Sequence, residues 1–189
     1  MNTVESHVNI HGTRCIKTAI SVTICTLIYL LIGRNPTFAC IGAVFGLGSD
    51  MADSRLNGGN RLFGTIFGGF IGMALFRLYL VFCPNGELTA LMLPLVFVGV
   101  LLLILVAYTF KWRGAVQPGG VMLCIVLFNQ PVESYVSYSL NRILDTAAGV
   151  ALSLLIAYLL PKERIVKLCD FICAKKRRNE KAPVTPIND

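Results

Sequence analysis

No charged residue interrupts the sequence from Leu88 to Phe110, and apolar runs of this kind recur along most of the chain. A helix rises 1.5 Å per residue, so roughly 20 apolar residues cross the hydrocarbon core of a bilayer, which is about 30 Å thick. Of the 189 residues, 55% are hydrophobic and 14% charged. A soluble domain of that length has no core large enough to bury so much apolar surface. The sequence therefore predicts an all-α membrane protein that crosses the bilayer several times, and it excludes a soluble enzyme.

Six spans are expected. The first runs from about Cys15 to Ile32 and stops at Gly33-Arg34-Asn35-Pro36, where proline cannot continue a helix. The second, Pro36 to Ser49, is short and rich in glycine. After a polar joint, Asp50 to Asn60, the third runs from Arg61 to Phe82 and ends at Pro84-Asn85-Gly86. The fourth, Leu88 to Phe110, holds Pro94 as an expected kink. The fifth, Ala115 to Phe128, is short again and contains Pro118-Gly119-Gly120, and the sixth, Leu140 to Leu160, is ended by Pro161. This divides the chain into an N-terminal segment (1–13), a membrane domain (14–161) and a basic tail (162–189).

The cations orient these spans. With the N-terminus in the cytoplasm, six crossings keep Arg14, Lys17, Arg55, Arg61, Lys111, Arg113 and every cation after Pro161 on the inner side. Only Arg34, Arg77 and Arg142 fall outside or within the membrane. Both termini are thus expected inside. The same bias accounts for much of the net charge of +7, so nucleic acid need not be invoked as a partner. No small-x-small site follows the first span cleanly, so it is read as retained rather than cleaved as a signal peptide. In the tail, Ile165, Leu168, Cys169 and Ile172 alternate with Lys162, Arg164 and Lys167, a pattern expected of an amphipathic helix on anionic lipid headgroups.

The remaining reactive residue types point away from catalysis. The seven cysteines lie mostly in apolar runs, where cysteine acts as a small hydrophobe. Cys169 and Cys173 have no second pair to complete a zinc set, and His7 and His11 precede the first span. No cofactor is expected. The spans carry no histidine and no cluster of a nucleophile with a base, so an enzyme is disfavoured. Tyr79, Tyr108 and Trp112 stand where an aromatic belt is expected, and Arg77 is placed to snorkel.

An internal repeat is the more informative signal. Asn60-Arg61-Leu62-Phe63-Gly64-Thr65-Ile66-Phe67-Gly68 matches Asn141-Arg142-Ile143-Leu144-Asp145-Thr146-Ala147-Ala148-Gly149 in Asn, Arg, Thr and Gly at identical spacing. The same offset pairs Gly33 with Gly114 and lays the short second span over the short fifth. Three spans per half is an odd number, so the halves (about 14–82 and 88–161) should be related by inversion, as in many transporters. Short segments interrupted by glycine or proline at matching positions are the usual pointer to a mid-membrane substrate site. Here these are Gly42 and Gly46 in one half and Pro118, Gly119 and Gly120 in the other. The same glycines also have the small-x3-small form of tight helix packing, and both readings stand.

Arg61, Thr65 and Gly68 share one helical stripe, and Arg142, Thr146 and Gly149 share its counterpart, each polar and small with a cation at one end. Inversion would place one arginine at each mouth of a central path, which suits an anionic substrate. Asp145, one turn from Arg142, is costly in lipid unless paired. It is read either as a salt bridge to Arg142 or as an ion or proton switch that releases the arginine to a substrate anion.

The repeated Asn-Arg-(Leu/Ile)-x-x-Thr-x-x-Gly, the Arg14-x-x-Lys17-Thr18-Ala19 opening and the Arg142-Ile143-Leu144-Asp145-Thr146 segment together resemble the aromatic acid exporter and fusaric acid resistance protein-like superfamily. The resemblance spans roughly Arg14 to Pro161 and implies a single small module of a bacterial inner-membrane exporter of small organic anions such as aromatic carboxylic acids. A homodimer would match the membrane content of longer members. A non-transporting membrane scaffold or regulatory protein is the alternative, since packing glycines and a basic tail would serve it equally.

Overall fold

A computed structural model describes residues 2–84, 90–129 and 132–160, with side chains described from residue 14 onwards. The expected tail helix (162–189), with Cys169 and Cys173, and the side chains of His7 and His11 lie outside the described residues. The described chain is all-helical: α1 (Asn2–Ile32), α2 (Thr37–Gly46), α3 (Met51–Phe82), α4 (Met92–Thr109), a 3-10 turn (Arg113–Ala115), α5 (Val116–Phe128) and α6 (Tyr135–Leu159). Four segments are long and apolar enough to cross a bilayer: Arg14–Ile32 of α1, α3, α4 and α6. Helix α2 and the stretch Arg113–Phe128 are apolar but shorter.

Local chemistry sets the helix ends. Gly33 has φ +71°, its N–H donates to the Leu30 carbonyl, and the Arg34 N–H donates to the Tyr29 carbonyl at 3.0 Å. This bond pair caps a helix through one left-handed residue. Asn35 Oδ1 then accepts the N–H and the hydroxyl of Thr37 (3.0 and 2.6 Å), leading the chain through Pro36 into α2. Helix α4 ends on the same motif, the Lys111 N–H donating to Tyr108 and the Trp112 N–H to Ala107, with Lys111 at φ +60° in the place usually held by glycine.

Several boundaries differ from those expected. The polar joint Asp50 to Asn60 is not a loop: α3 starts at Met51 and runs for 32 residues, about 48 Å at the helical rise. Its glycines are accommodated because side chains fill the space that a Cβ would need, Val150 at Gly58 and the Trp112 ring at Gly59. The Gly48 N–H donates to Ser54 Oγ, which donates to the Asp50 carbonyl, and this fixes the entry to α3. Pro94 lies in the first turn of α4, where its missing N–H has no intrahelical partner to lose, so it starts the helix instead of kinking it. Helix α6 begins at Tyr135, five residues before the expected start. Tyr79 is fully buried beside Phe76, not in an interfacial belt.

Helices α3 and α6 run antiparallel through the centre. Gly58, early in α3, meets Val150, late in α6, while Phe76, late in α3, lies 5.2 Å from the ring of Tyr135 at the start of α6. Each short helix packs chiefly against one of these two, α5 on α3 and α2 on α6, and α2 touches α3 as well. Helix α1 covers α2 and α6, and α4 covers α3 and α5. The larger core cluster, Leu75, Phe76, Tyr79, Met92, Met122, Leu123, Val126 and Leu127, joins α3, α4 and α5.

Candidate functional site

Thr65, Gly68, Thr146 and Gly149 of the two stripes are buried, with Arg61 and Arg142 half-buried at their ends, and the short helices lie on them. A Cβ on Gly68 would collide with the backbone of Gly119, and one on Gly149 with the carbonyl of Ala39. Likewise a Cβ on Gly42 would meet the Thr146 carbonyl, and one on Gly46 the Ser153 hydroxyl. Helices α2 and α5 are short and internally continuous. Gly42, Gly119 and Gly120 lie within them, Pro118 sits in the first turn of α5, and the chain leaves helical geometry after Gly46, with Leu47 extended. Glycine therefore serves close backbone contact at Gly42, Gly68, Gly119 and Gly149. Gly120 faces open space.

Where the four helices α2, α3, α5 and α6 meet, two cavities adjoin. One of about 470 Å³ is bordered by the polar side chains of Asn57, Asn60, Arg61 and Gln117. The other, about 350 Å³, is lined by Phe38, Ile41, Met122 and Ile125 together with Thr65 and Thr146, one threonine from each stripe. Arg61, Phe45, Pro118 and Val121 border both. The Arg61 guanidinium lies 5.1 Å from the Phe45 ring centroid. Its Nε is buried and has no hydrogen-bond partner among the described residues. Thr65 donates its hydroxyl to the Arg61 carbonyl at 2.8 Å, so the polar group on the cavity wall is bound back to its own helix.

Arg142, the repeat partner of Arg61, lies farther toward the opposite end of the bundle because α3 and α6 are antiparallel, with its neighbour Ile143 level with Gly69 of α3. Its guanidinium is stacked 3.6 Å from the centroid of Phe38 and 4.1 Å from that of Tyr138, and it donates to the Tyr138 hydroxyl. Stacking of this kind covers the flat faces of the cation and leaves its edge to bind an anion. The Nε on that edge is also buried without a partner. Phe38 links the two ends, since it lines the apolar cavity and supports Arg142.

Asp145 does not pair with Arg142. Its carboxylate lies 3.1 Å from Arg34 Nη2 and accepts a 3.0 Å hydrogen bond from the Tyr29 hydroxyl. Arg34 also donates to Asn141 Oδ1 at 3.2 Å. The rings of Tyr138 on α6 and Phe38 on α2 hold Arg142, whereas the turn at Gly33 brings both Tyr29 and Arg34 onto α6.

Sequence spacing did not single out Tyr29, Arg34, Phe38, Phe45, Asn57 or Gln117. Phe38 and Phe45 are seven residues apart on α2, the helical spacing that puts them on one face, and this was a usable signal. Arg34 carried only its place after a helix-ending glycine and its standing as one of three cations outside or within the membrane. Among the described residues no group of three or more metal-ligating side chains occurs.

The family model described as aromatic acid exporter family member 1 matches residues 9–160. No curated protein and no solved structure matches the chain. With most of its length matched and four helices able to cross a bilayer, the chain belongs to the aromatic acid exporter family of membrane transporters.

Proposed function

We propose that this protein exports small organic anions that carry an apolar body, aromatic carboxylic acids foremost, across the bacterial inner membrane. The observation that carries the reading is the place of Arg61, which borders both a polar cavity and an apolar one. A carboxylate held at the arginine edge could direct its ring into the space beside Phe38, Ile41 and Met122, while Asn57, Asn60 and Gln117 keep the other side wet. The combined space is of the size that small-molecule sites occupy. Arg142 is the second anion station, and Thr65, Thr146 and the Gly68 and Gly149 contacts line or close the path between them.

The six helices are read as two inverted halves, α1 to α3 and α4 to α6. Exchanging the halves turns the α3 and α5 contact into that of α6 and α2, and the α1 and α2 contact into that of α4 and α5; all four occur. In this arrangement both termini are cytoplasmic, the Arg61 mouth faces inward and the Arg142 mouth outward. A homodimer, and a basic tail on anionic headgroups, complete the proposal.

The test is retention of labelled benzoate and hydroxybenzoates in cells expressing wild type or Arg142→Ala at matched membrane levels. Lower retention with wild type, lost in the variant, is the expected result. Equal retention in both across the panel would remove the aromatic acid assignment.

A further inference from the structure

The apolar cavity contains matching residues from both repeats. Moving Ile41 and Thr65 along the chain by the interval that separates Arg61 from Arg142 gives Met122 and Thr146, and all four line this cavity. The match fails in two respects. Arg61 lines the cavity, whereas its repeat mate Arg142 is not part of the wall. The two threonines also differ in what their hydroxyls do. Thr65 donates to the Arg61 carbonyl four residues earlier, as Thr18, Thr23, Thr26 and Thr109 do to theirs. That bond is how a helix spares a threonine the cost of burial. Thr146 makes no such bond: its hydroxyl has no hydrogen-bond partner among the described residues, although the residue is only 1% exposed and lies within α6. A buried hydroxyl left unpaired is costly, so both its donor and its lone pairs are available to what enters the cavity.

We infer that Thr146 is a specificity-determining residue whose hydroxyl receives a polar ring substituent, a phenolic hydroxyl foremost, on an acid whose carboxylate is held by Arg61. The inference deepens the reading of this site as one for aromatic carboxylates and rests on it. Phe38, Ile41, Met122 and Ile125 offer a ring substituent no hydrogen bond, so a hydroxyl that enters among them loses its water unless a polar side chain replaces it. Thr65 has already committed its proton and can only accept. Thr146 can donate to the phenolic oxygen or accept from the phenolic O–H, so it serves either orientation of the group. A bare ring leaves Thr146 unpaired, and a site with an unpaired buried hydroxyl discriminates against the ligand that fails to meet it. The repeat thus supplies one shape twice, and a single unbonded hydroxyl gives that shape a chemical preference.

The test is equilibrium binding of benzoate, 3-hydroxybenzoate, 4-hydroxybenzoate and 4-methylbenzoate to the purified full-length protein in detergent. The methyl compound matches the hydroxyl in size but forms no hydrogen bond. Wild type should hold at least one hydroxy acid about three- to tenfold more tightly than both benzoate and the methyl compound. Thr146→Val, which keeps the shape and loses the hydroxyl, should abolish that ratio, and Thr146→Ser should keep it. Thr65→Val, the same change at the repeat mate, should leave the ratio as in wild type whatever it does to affinity. Because the readout is a ratio within one protein, a general loss of folded material does not mimic it. Absence of a preference in wild type, a preference that survives in Thr146→Val, or an equal loss in Thr65→Val would overturn the assignment. If the Thr146-dependent preference holds but wild-type cells retain aromatic acids, the export reading falls and the binding assignment stands; if cells export the acids and the ratio ignores Thr146, the reverse is true.

Discussion

Gly149 of α6 rests on the carbonyl of Ala39 in α2 with no space between them for a Cβ. Because α2 is only 10 residues long and packs chiefly on α6, this contact sets how closely the two helices approach. Gly149→Ala should destabilise the protein by about 1–3 kcal/mol through overpacking. Gly120→Ala, where nothing lies within 4 Å, should be neutral or gain up to about 1 kcal/mol of helix propensity. Thermal unfolding in detergent of the two variants checks both signs.

The two arginines should differ in their tolerance of lysine. Lysine keeps the charge but loses the planar cation that stacks on rings, and Arg142 has two ring contacts where Arg61 has one. Alanine at either position should reduce export at least about tenfold, and Arg61→Lys should retain more activity than Arg142→Lys. Initial efflux rates at matched expression decide this.

Phe38→Leu keeps an apolar wall but removes one face of the Arg142 stack. Loss of a partly buried cation–ring contact of about 1–2 kcal/mol should weaken apparent substrate affinity by roughly five- to thirtyfold. Concentration dependence of efflux would show it as a change in half-saturation.

Tyr29→Phe removes a donor from a buried carboxylate and should cost about 1–3 kcal/mol. Tyr158→Phe, on a side chain that is 74% exposed, should leave the thermal midpoint unchanged.

At the two helix caps the expected signs are opposite. Gly33→Ala forces a Cβ into a left-handed backbone and should lose about 1 kcal/mol, while Lys111→Gly relieves the same conformation and should gain a similar amount. Melting curves of both variants, measured side by side, test the pair.

The long helices and the repeated stripes were legible because both depend on periodicity, which is written locally. Arg61, Thr65, Arg142 and Thr146 were found this way, and they lie on the buried faces of α3 and α6. The joint at Asp50 to Asn60 was misread because Asn-Gly-Gly-Asn has turn composition, whereas its helical state comes from Val150 and Trp112, which are remote in sequence. Arg142 and Asp145 are one turn apart and read as a pair. Tyr138, one turn before Arg142 on α6, is a local partner, but Phe38 for Arg142 and Tyr29 and Arg34 for Asp145 depend on how α1 and α2 fold back onto α6. Tertiary contacts across more than a hundred residues leave no trace in local spacing.

The crossed seating of the short helices also bears on biosynthesis. Helix α2 leaves the ribosome before α6, yet most of the surface that receives it belongs to α6, the last described helix to be made. At 10 residues it is too short to cross a bilayer unaided. The seating of α2 is therefore completed only after the second half has been translated, and a chain cut short before Tyr135 would leave α2 with α1 and α3 but without its main seat.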